Sequence, residues 1–358
     1  MILEHRLHRF QEIVRGKGID AVMIRTLSSF IYFTGLKWLR PALLIPSSGE
    51  PIAFVARGEE EGFRKRTWIR NVVTYTDGGD LMGKVSGIIR KHGFKTMGLE
   101  FGIERDAYIV FYEMFKRLNP SVKIVDVSDI IYGMRLIKDQ YELDAIRKAG
   151  RIASKAMEEA LSVIEPGVSE TEIAAEVYRV LYKNGSEEPL VYVNVGPDPR
   201  IHSEPFRDNI VENDVFVTIV IGADYNRYYA NMARTVYVGN PRGIAIKAIE
   251  CMDKVYETAL KLTRPGTKII DVIKKIDTIY RKYGLENYRV IGYLHGVGLQ
   301  IEEPPITTIL PRDRFMNIQK NMVLAMVHSP LLIRGVGQVK KEDTFIIGSD
   351  SLERVTGI

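Results

Sequence analysis

The C-terminal two thirds of the chain repeats one order of elements, and this repeat constrains the fold more than any other feature. A long helical pattern ends at Pro166-Gly167, and strand-rich sequence later fills 190–238. The same order returns with a helix near 243–264, a break at Pro265-Gly266 and strand-rich sequence over 288–347. We interpret this as an internal duplication. It predicts two half-sheets placed face to face about a pseudo-twofold axis, with a ligand cleft between them.

The first helix of the repeat has an amphipathic pattern. Its apolar residues recur at helical spacing from Leu143 to Ile164, so we expect a long helix to begin a second domain near residue 139. Ser169 and Glu172 then form a capping-box pattern, which predicts the start of the next helix. The second domain is therefore predicted to span 139–358.

The preceding segment, 1–133, alternates between short apolar runs and helical stretches. We predict strands near 19–24, 42–46, 51–56, 71–76, 96–100 and 122–127, and helices near 2–15, 81–92 and 105–118. Alternation of this kind indicates an α/β domain. The segment has no glycine-rich phosphate loop and no cluster of His, Asp or Glu, so nothing in it indicates catalysis.

Composition narrows the class of protein. The 358 residues contain no apolar run long enough to cross a membrane and begin with a charged segment, which predicts a cytoplasmic location. The single cysteine, Cys251, excludes an intrachain disulfide and is interpreted as a buried structural thiol. Interleaved acidic and basic residues give a net charge of +5, so we expect no nucleic-acid partner. Abundant Glu, Lys and Arg with few glutamines suggest a thermophilic source.

Three motifs then resemble one known family. They are "MRLIKDQYELDAIRKA" at 134–149, "HGVGLQIEEPP" at 295–305 and "EDTFIIGSDSLERVT" at 342–356. Together they resemble the pita-bread metallopeptidases, in the branch that includes prolidase, Xaa-Pro aminopeptidase and creatinase. The resemblance covers nearly the whole chain. It implies an α/β (α+β) fold, with a creatinase-type N-terminal domain at 1–133 and a pita-bread domain at 139–358.

The resemblance also implies a metal centre, because active members of this family bind two metal ions through two Asp, one His and two Glu. The first Asp falls on Val220 and the second on Asn231. Valine has no lone pair to donate, and asparagine lacks the charge with which a carboxylate neutralises two cations. We therefore do not expect a two-metal centre.

The remaining ligand positions leave room for one ion. The family His falls on His295 and the last Glu on Glu342. The other Glu falls on Val327 when the alignment is counted forward along the preceding strand, and on His328 when it is counted back from Glu342. If His328 faces the cleft, His295, His328 and Glu342 are the candidate ligands of a single site for Zn, Mn, Co or Fe. If Val327 faces inward, His328 points to the opposite face of its strand and the site is lost.

Each metal candidate has a structural alternative. A single histidine beside a strand is more often a hydrogen-bonded core or rim residue than a ligand. The structural alternative for Glu342 is that it lies at a strand edge and its carboxylate pairs with Lys340 or Lys341. We disfavour this pairing, because 342–344 matches the family motif so well.

Three further residues are candidates for contact with the substrate. His202 lies in the loop where family members place a His that contacts substrate, and in creatinase a His of this loop is the general base of a reaction without metal. This implies His202 as a catalytic base. Arg234, in the retained pair that follows Asn231, and Glu302, where the family has a second signature His, are candidate substrate-binding residues.

Three functions follow, in this order of preference. The first is a catalytically inactive homologue that binds a peptide or protein in its cleft. The second is a hydrolase of altered chemistry, either with one divalent metal or metal-free through His202. The third is a conventional Xaa-Pro dipeptidase. The expected ligand is a peptide or small amide, the cofactor is none or one divalent metal, and the family branch implies a homodimer.

Overall fold

The computed structural model describes residues 2–102, 104 and 107–358. The chain divides into two compact units, Met1–Met134 and Arg135–Ile358, which are described separately. In the described part of the chain no helix is long and apolar enough to cross a membrane.

The N-terminal unit alternates helices and strands. Its elements are α1 (Ile2–Gly16), β1 (Ala21–Ile24), α2 (Leu27–Thr34), β2 (Leu43–Pro46), β3 (Ile52–Ala56), α3 (Glu60–Arg64), β4 (Asn71–Tyr75), α4 (Gly78–His92), β5 (Thr96–Leu99), α5 (Ala107–Leu118), β6 (Lys123–Asp126) and α6 (Ser128–Leu136). The six strands form one mixed sheet in the order β4-β3-β2-β1-β5-β6. All six predicted strands are present, within about two residues at either end.

Three helices of this unit, α2, α3 and α6, were not predicted. Every residue of α2 is buried, so the segment lacks the polar face that marks a surface helix in a sequence. The helix predicted over 105–118 is present as α5, and the first two predicted residues lie outside the described part. The α/β prediction for this segment is otherwise confirmed.

The C-terminal unit carries the predicted repeat. Its first half is α7 (Gln140–Ser162), α8 (Glu170–Lys183), β7 (Leu190–Val195), β8 (Val215–Tyr225) and β9 (Tyr228–Val238). Its second half is α9 (Ile244–Leu262), α10 (Ile269–Tyr283), β10 (Leu294–Gly296), β11 (Glu303–Ile306), β12 (Val323–Met326), β13 (Leu331–Ile333), β14 (Gly337–Val339), β15 (Glu342–Ile347) and β16 (Leu352–Arg354). Capping boxes start α7 at Asp139 and α8 at Ser169.

The two halves meet in a single sheet. The strand order is β11-β10-β12-β15-β9-β8-β7, and β9 of the first half pairs with β15 of the second. The halves therefore join edge to edge, and the expectation of two half-sheets placed face to face was wrong. Backbone pairing across the junction decides this, because a strand edge left open would expose unpaired N–H and C=O groups.

Each half has its own apolar core under the sheet. In the first half, α7 and α8 pack with apolar side chains of β7, β8 and β9, and in the second, α9 and α10 pack with those of β12 and β15. Cys251 lies in the second core, and burial raises the pKa of its thiol to about 12. This confirms the prediction of a buried structural thiol. The opposite face of the sheet carries the polar residues of the cleft.

Candidate functional site

A cavity of about 260 Å³ opens on that polar face of the sheet. Side chains from both halves of the repeat line it: Leu190, Tyr192, His202, Val220, Asn231, His295, Ile301, Glu302, Ile309, His328 and Glu342. The sheet therefore brings together all the predicted site residues except Arg234 and Val327. This volume suits a ligand of about dipeptide size, at the small end of ligand cavities.

Strand alternation on the β8–β9 hairpin places Val220 and Asn231 in the cavity. Gly222 lies opposite Asn231 in the register, so both residues belong to the face that carries Val220. Their neighbours Ile219 and Met232 lie in the apolar core on the other face. The hairpin thus presents one apolar and one uncharged side chain to the cavity.

His295 is held in the tautomer that a metal ligand requires. Its Nδ1 lies 2.9 Å from the carbonyl oxygen of Gly296, which can only accept, so Nδ1 carries the proton and Nε2 keeps its lone pair. Nε2 lies 3.8 Å from Glu342 Oε1. Both atoms are buried, and within the described residues neither has a hydrogen-bond partner.

Asn231 adds a third acceptor of this kind. Its Nδ2 donates to the Ile301 carbonyl at 2.8 Å, while its buried Oδ1 lacks a hydrogen-bond partner among the described residues. Each buried acceptor without a donor costs about 1–3 kcal/mol. Three such atoms on residues that line one cavity fit a bound cation, which would satisfy all of them.

His328, and not Val327, faces the cavity. Alternation along β12 would place Val327 on the cavity face, but its φ of 62° breaks the alternation and its side chain packs in the second apolar core. A β-branched residue at positive φ is strained, and such strain is frequent at functional sites. The positive φ of Val327 turns the next residue, His328, into the cavity, where it can share an ion with His295 and Glu342.

Glu342 is paired with Lys340, the partner that the sequence disfavoured. Lys340 Nζ lies 2.8 Å from Glu342 Oε2, and His328 Nδ1 lies 3.0 Å from the same oxygen. Burial alone would raise the pKa of Glu342, but Lys340 and His328 hold that pKa well below its ordinary value. Glu342 is therefore an ionised carboxylate. Burial, reinforced by Lys340, lowers the pKa of His328 to about 4, so its imidazole is neutral near pH 7.

Glu302 lies among three imidazoles. Its Oε1 is 3.5 Å from Nε2 of both His202 and His328, and 4.0 Å from Nε2 of His295. Burial raises the pKa of Glu302. The three facing imidazoles lower this pKa by more than burial raises it, so the net shift is downward. Glu302 thus brings an anionic oxygen within reach of His202 and the metal candidates. Its assignment as a substrate contact stays a prediction.

His202 lies in the loop between β7 and β8 with a φ of 49°, in the left-handed region. Burial lowers the pKa of His202 below its ordinary value, despite the carboxylate of Glu302 nearby. Its imidazole is therefore mostly neutral near pH 7, the state in which a base accepts a proton.

Glu170 anchors this loop. It is fully buried at the start of α8, and its carboxylate accepts hydrogen bonds from donors on both sides of His202: Val195 N, Arg200 Nη2, Phe206 N and Asn209 Nδ2. One buried carboxylate thus satisfies three donors of the loop and the last backbone N–H of β7. Nothing in the sequence pattern around Glu170, which reads as the first turn of a helix, indicates this role.

We expect Glu170→Gln to loosen the loop over 196–209. The glutamine lacks the charge and turns one acceptor oxygen into a donor group, at a cost of about 1–3 kcal/mol. Amide hydrogen exchange of that segment should become faster, as measured by mass spectrometry. The matched control is Glu176→Gln on the same helix, where the exposed carboxylate pairs with Arg179. Equal protection of the loop in both variants would contradict this role.

Arg234 has a structural partner. Its guanidinium donates to both oxygens of Asp343, at 3.0 and 3.1 Å, and to the carbonyl of Glu342 at 2.9 Å. Arg234 is not among the residues that line the cavity described above. The ion pair joins β9 to β15 beside the cavity, and a substrate-binding role for Arg234 stays a prediction.

Comparison with protein families gives two matches. The model of metallopeptidase family M24 matches residues 144–349, and that of the creatinase/prolidase N-terminal domain matches residues 6–137. Together they account for nearly the whole chain and for the order of its two units.

Similar proteins agree with these matches. The Xaa-Pro dipeptidase of Pyrococcus furiosus is 26% identical over 356 residues, which cover 99% of this chain and 98% of the relative. The ectoine hydrolase of Halomonas elongata is 24% identical over 326 residues, covering 84% and 81%. The crystal structure of the prolidase from Pyrococcus horikoshii has a TM-score of 0.88 at 25% identity and covers 99% and 98% of the two chains. The fold predicted from the resemblance is confirmed.

Proposed function

Because this chain belongs to metallopeptidase family M24, we propose that it is a hydrolase of small peptides or amides that works with one divalent metal ion. His295, His328 and Glu342 would hold the ion, and Asn231 Oδ1 would contribute from the adjacent strand. An ion held there would supply Lewis-acid chemistry, polarising the carbonyl oxygen of the bond to be cleaved.

The observation that carries this proposal is the pair of buried atoms His295 Nε2 and Glu342 Oε1. They lie 3.8 Å apart without hydrogen-bond partners among the described residues. Two N or O ligands with bonds of about 2.0–2.2 Å to one tetrahedral zinc ion would lie about 3.3–3.6 Å apart, so these two atoms would need to approach each other by only a few tenths of an ångström. The sequence alone favours an inactive binding protein, whereas these unsatisfied acceptors favour a metal-dependent enzyme.

The residues of the chain divide the remaining work. His202, neutral near pH 7, would accept a proton from the attacking water and later return it to the leaving nitrogen. Glu302, 3.5 Å from His202 Nε2, would orient that imidazole and stabilise its protonated form. Leu190, Ile301 and Ile309 give the cavity an apolar wall for the substrate side chain. Two relatives are named an Xaa-Pro dipeptidase and an ectoine hydrolase, so Xaa-Pro dipeptides and ectoine are the first substrates to test.

A second candidate is a protein that binds peptides without cleaving them. Val220 and Asn231 favour it, because neither side chain can replace a bridging carboxylate of a two-metal centre. In this case the cavity would bind the same peptides, and the acceptors would be satisfied by a ligand ammonium instead of a metal ion.

Metal content and hydrolysis, measured together, separate these possibilities. The protein is incubated with Zn²⁺, Mn²⁺ or Co²⁺, desalted and analysed by plasma mass spectrometry, then assayed on Xaa-Pro dipeptides with and without a chelator. We expect one ion per chain and hydrolysis that the chelator abolishes. Hydrolysis that persists without metal would indicate catalysis by His202 alone. Peptide binding with neither metal nor hydrolysis would indicate the second candidate, and two ions per chain would contradict the assignment of Val220 and Asn231.

A further inference from the structure

Lys340 places a buried ammonium group inside the candidate site. It lies between β14 and β15, and its side chain is only 2% exposed. Nζ is 2.8 Å from Glu342 Oε2 and 3.1 Å from His328 Nδ1. Lysine is almost never fully buried without a partner, and here it contacts two of the three candidate metal ligands.

The ammonium occupies the part of the site next to Val220. Lys340, Val220, Thr218 and His328 line a residual space of about 10 Å³. A single water needs about 10–15 Å³, so this space beside Lys340 holds no hydrated ion, and Val220 separates it from the cavity of about 260 Å³ that Val220 also lines. Val220 has an uncharged side chain. The charged group beside it is therefore the ammonium of Lys340.

The two oxygens of Glu342 face different cations. Oε2 is bonded to Lys340, whereas Oε1 lies 3.8 Å from His295 Nε2 without a hydrogen-bond partner among the described residues. We propose that Lys340 is a resident second cation, whose ammonium shares the Glu342 carboxylate with a single divalent metal ion. This inference rests on the proposed one-metal function, and it explains why Glu342 is placed to bridge two positive charges.

Two consequences follow from a fixed cation. We expect the site to bind one metal ion and not two, because Glu342 Oε2 is already paired with the ammonium and Val220 offers no carboxylate to a second ion. The ammonium also repels the metal ion and neutralises part of the Glu342 charge, so it weakens metal binding relative to a site without it. Removing the ammonium should therefore raise the affinity for metal, whereas removing an ordinary structural residue would lower it or leave it unchanged.

Calorimetric titration with Mn²⁺ tests this prediction. We expect Lys340→Met to bind Mn²⁺ at least about tenfold more tightly than wild type, since a like charge within a few ångströms is removed. The matched control is Lys341→Met, the next residue, whose ammonium pairs with Asp253 at 2.5 Å and is partly exposed. The control should bind Mn²⁺ as wild type does. Equal affinity of Lys340→Met and wild type would overturn the proposal.

Stoichiometry gives a second readout. With Val220→Asp alone, we expect one Mn²⁺ per chain, because the new carboxylate pairs with Lys340. With Val220→Asp and Lys340→Met together, we expect two, since a carboxylate then faces an open position. One ion in the double variant, or two in wild type, would overturn the proposal.

Mn²⁺ binding by wild type distinguishes failure of this proposal from failure of the proposed one-metal function. If wild type binds one ion and Lys340→Met binds no more tightly, only the role of Lys340 fails. If wild type and every variant bind none, the one-metal function fails as well. Lys340→Met leaves the buried Glu342 unpaired and is expected to be less stable without metal. Should it not fold, two Mn²⁺ ions bound to wild type would still overturn the proposal.

Discussion

We expect Glu303→Gln to lower the free energy of unfolding of the C-terminal unit by about 3–5 kcal/mol. Glu303 Oε2 lies 2.5 Å from Arg135 Nη2 and Oε1 lies 2.8 Å from Lys138 Nζ, and all three side chains are almost wholly buried. Glutamine has nearly the same volume but no charge. Two buried cations therefore lose the anion that compensates them, and this cost exceeds that of a lost hydrogen bond.

Urea unfolding followed by far-ultraviolet circular dichroism measures this loss. The matched control is Glu353→Gln, because Glu353 also pairs with an arginine, Arg147, but is 46% exposed, and exposed pairs contribute about 1 kcal/mol or less. Both tryptophans, Trp38 and Trp68, lie in the N-terminal unit, so their fluorescence reports unfolding of that unit separately. Equal losses in the two variants would show that burial does not decide the strength of the Glu303 pairs.

The same ion pairs make pH a second readout of this prediction. Burial alone would raise the pKa of Glu303, but Arg135 and Lys138 lower it below its ordinary value of 4.5. A carboxylate whose pKa is depressed in the folded state stabilises the fold fully above its unfolded pKa, and this contribution is lost as the pH falls through the folded pKa. The difference in stability between wild type and Glu303→Gln should therefore be constant above pH 4.5 and shrink below it.

We expect His295→Ala to lower the affinity for a divalent metal ion about 100-fold or more. His295 Nε2 is the acceptor that the Gly296 hydrogen bond keeps unprotonated, and alanine removes it. A bound ion stabilises the folded state by mass action. Mn²⁺ or Zn²⁺ should therefore raise the melting temperature of wild type and leave that of His295→Ala unchanged.

This measurement needs no enzymatic activity, so it remains valid if the protein proves to be a binding module. The matched control is His8→Ala, which removes an exposed imidazole from α1 of the N-terminal unit. It should respond to metal as wild type does. A metal response retained in His295→Ala would rule out His295 as a ligand and, with it, the one-metal site.

Much of the site could be predicted from the sequence because its members lie in regular elements or short motifs. Val220, Asn231, His295 and Glu342 follow from the resemblance to a known family, as the positions on which its metal ligands fall. His202 follows from the same resemblance, because family members place a His in this loop. The cavity brings all five together, as expected for side chains that share one face of a sheet.

The position of His328 could not be predicted in this way. Regular alternation of β12 would have placed Val327 in the cavity, and the positive φ of Val327 reverses the outcome. No property of valine in a sequence predicts this conformation, because valine disfavours it. The surrounding core imposes it, and the core is assembled from residues far apart in the chain.

The sequence by itself determined the α/β alternation of the first unit, the repeat of the second, and the absence of charge at Val220 and Asn231. These depend on periodicity and residue type, which are local. Only the tertiary structure decided that the two halves share one sheet and that Lys340, rather than solvent, neutralises Glu342. Both depend on which distant groups are buried together, because a strand edge or a charge removed from water must find a partner.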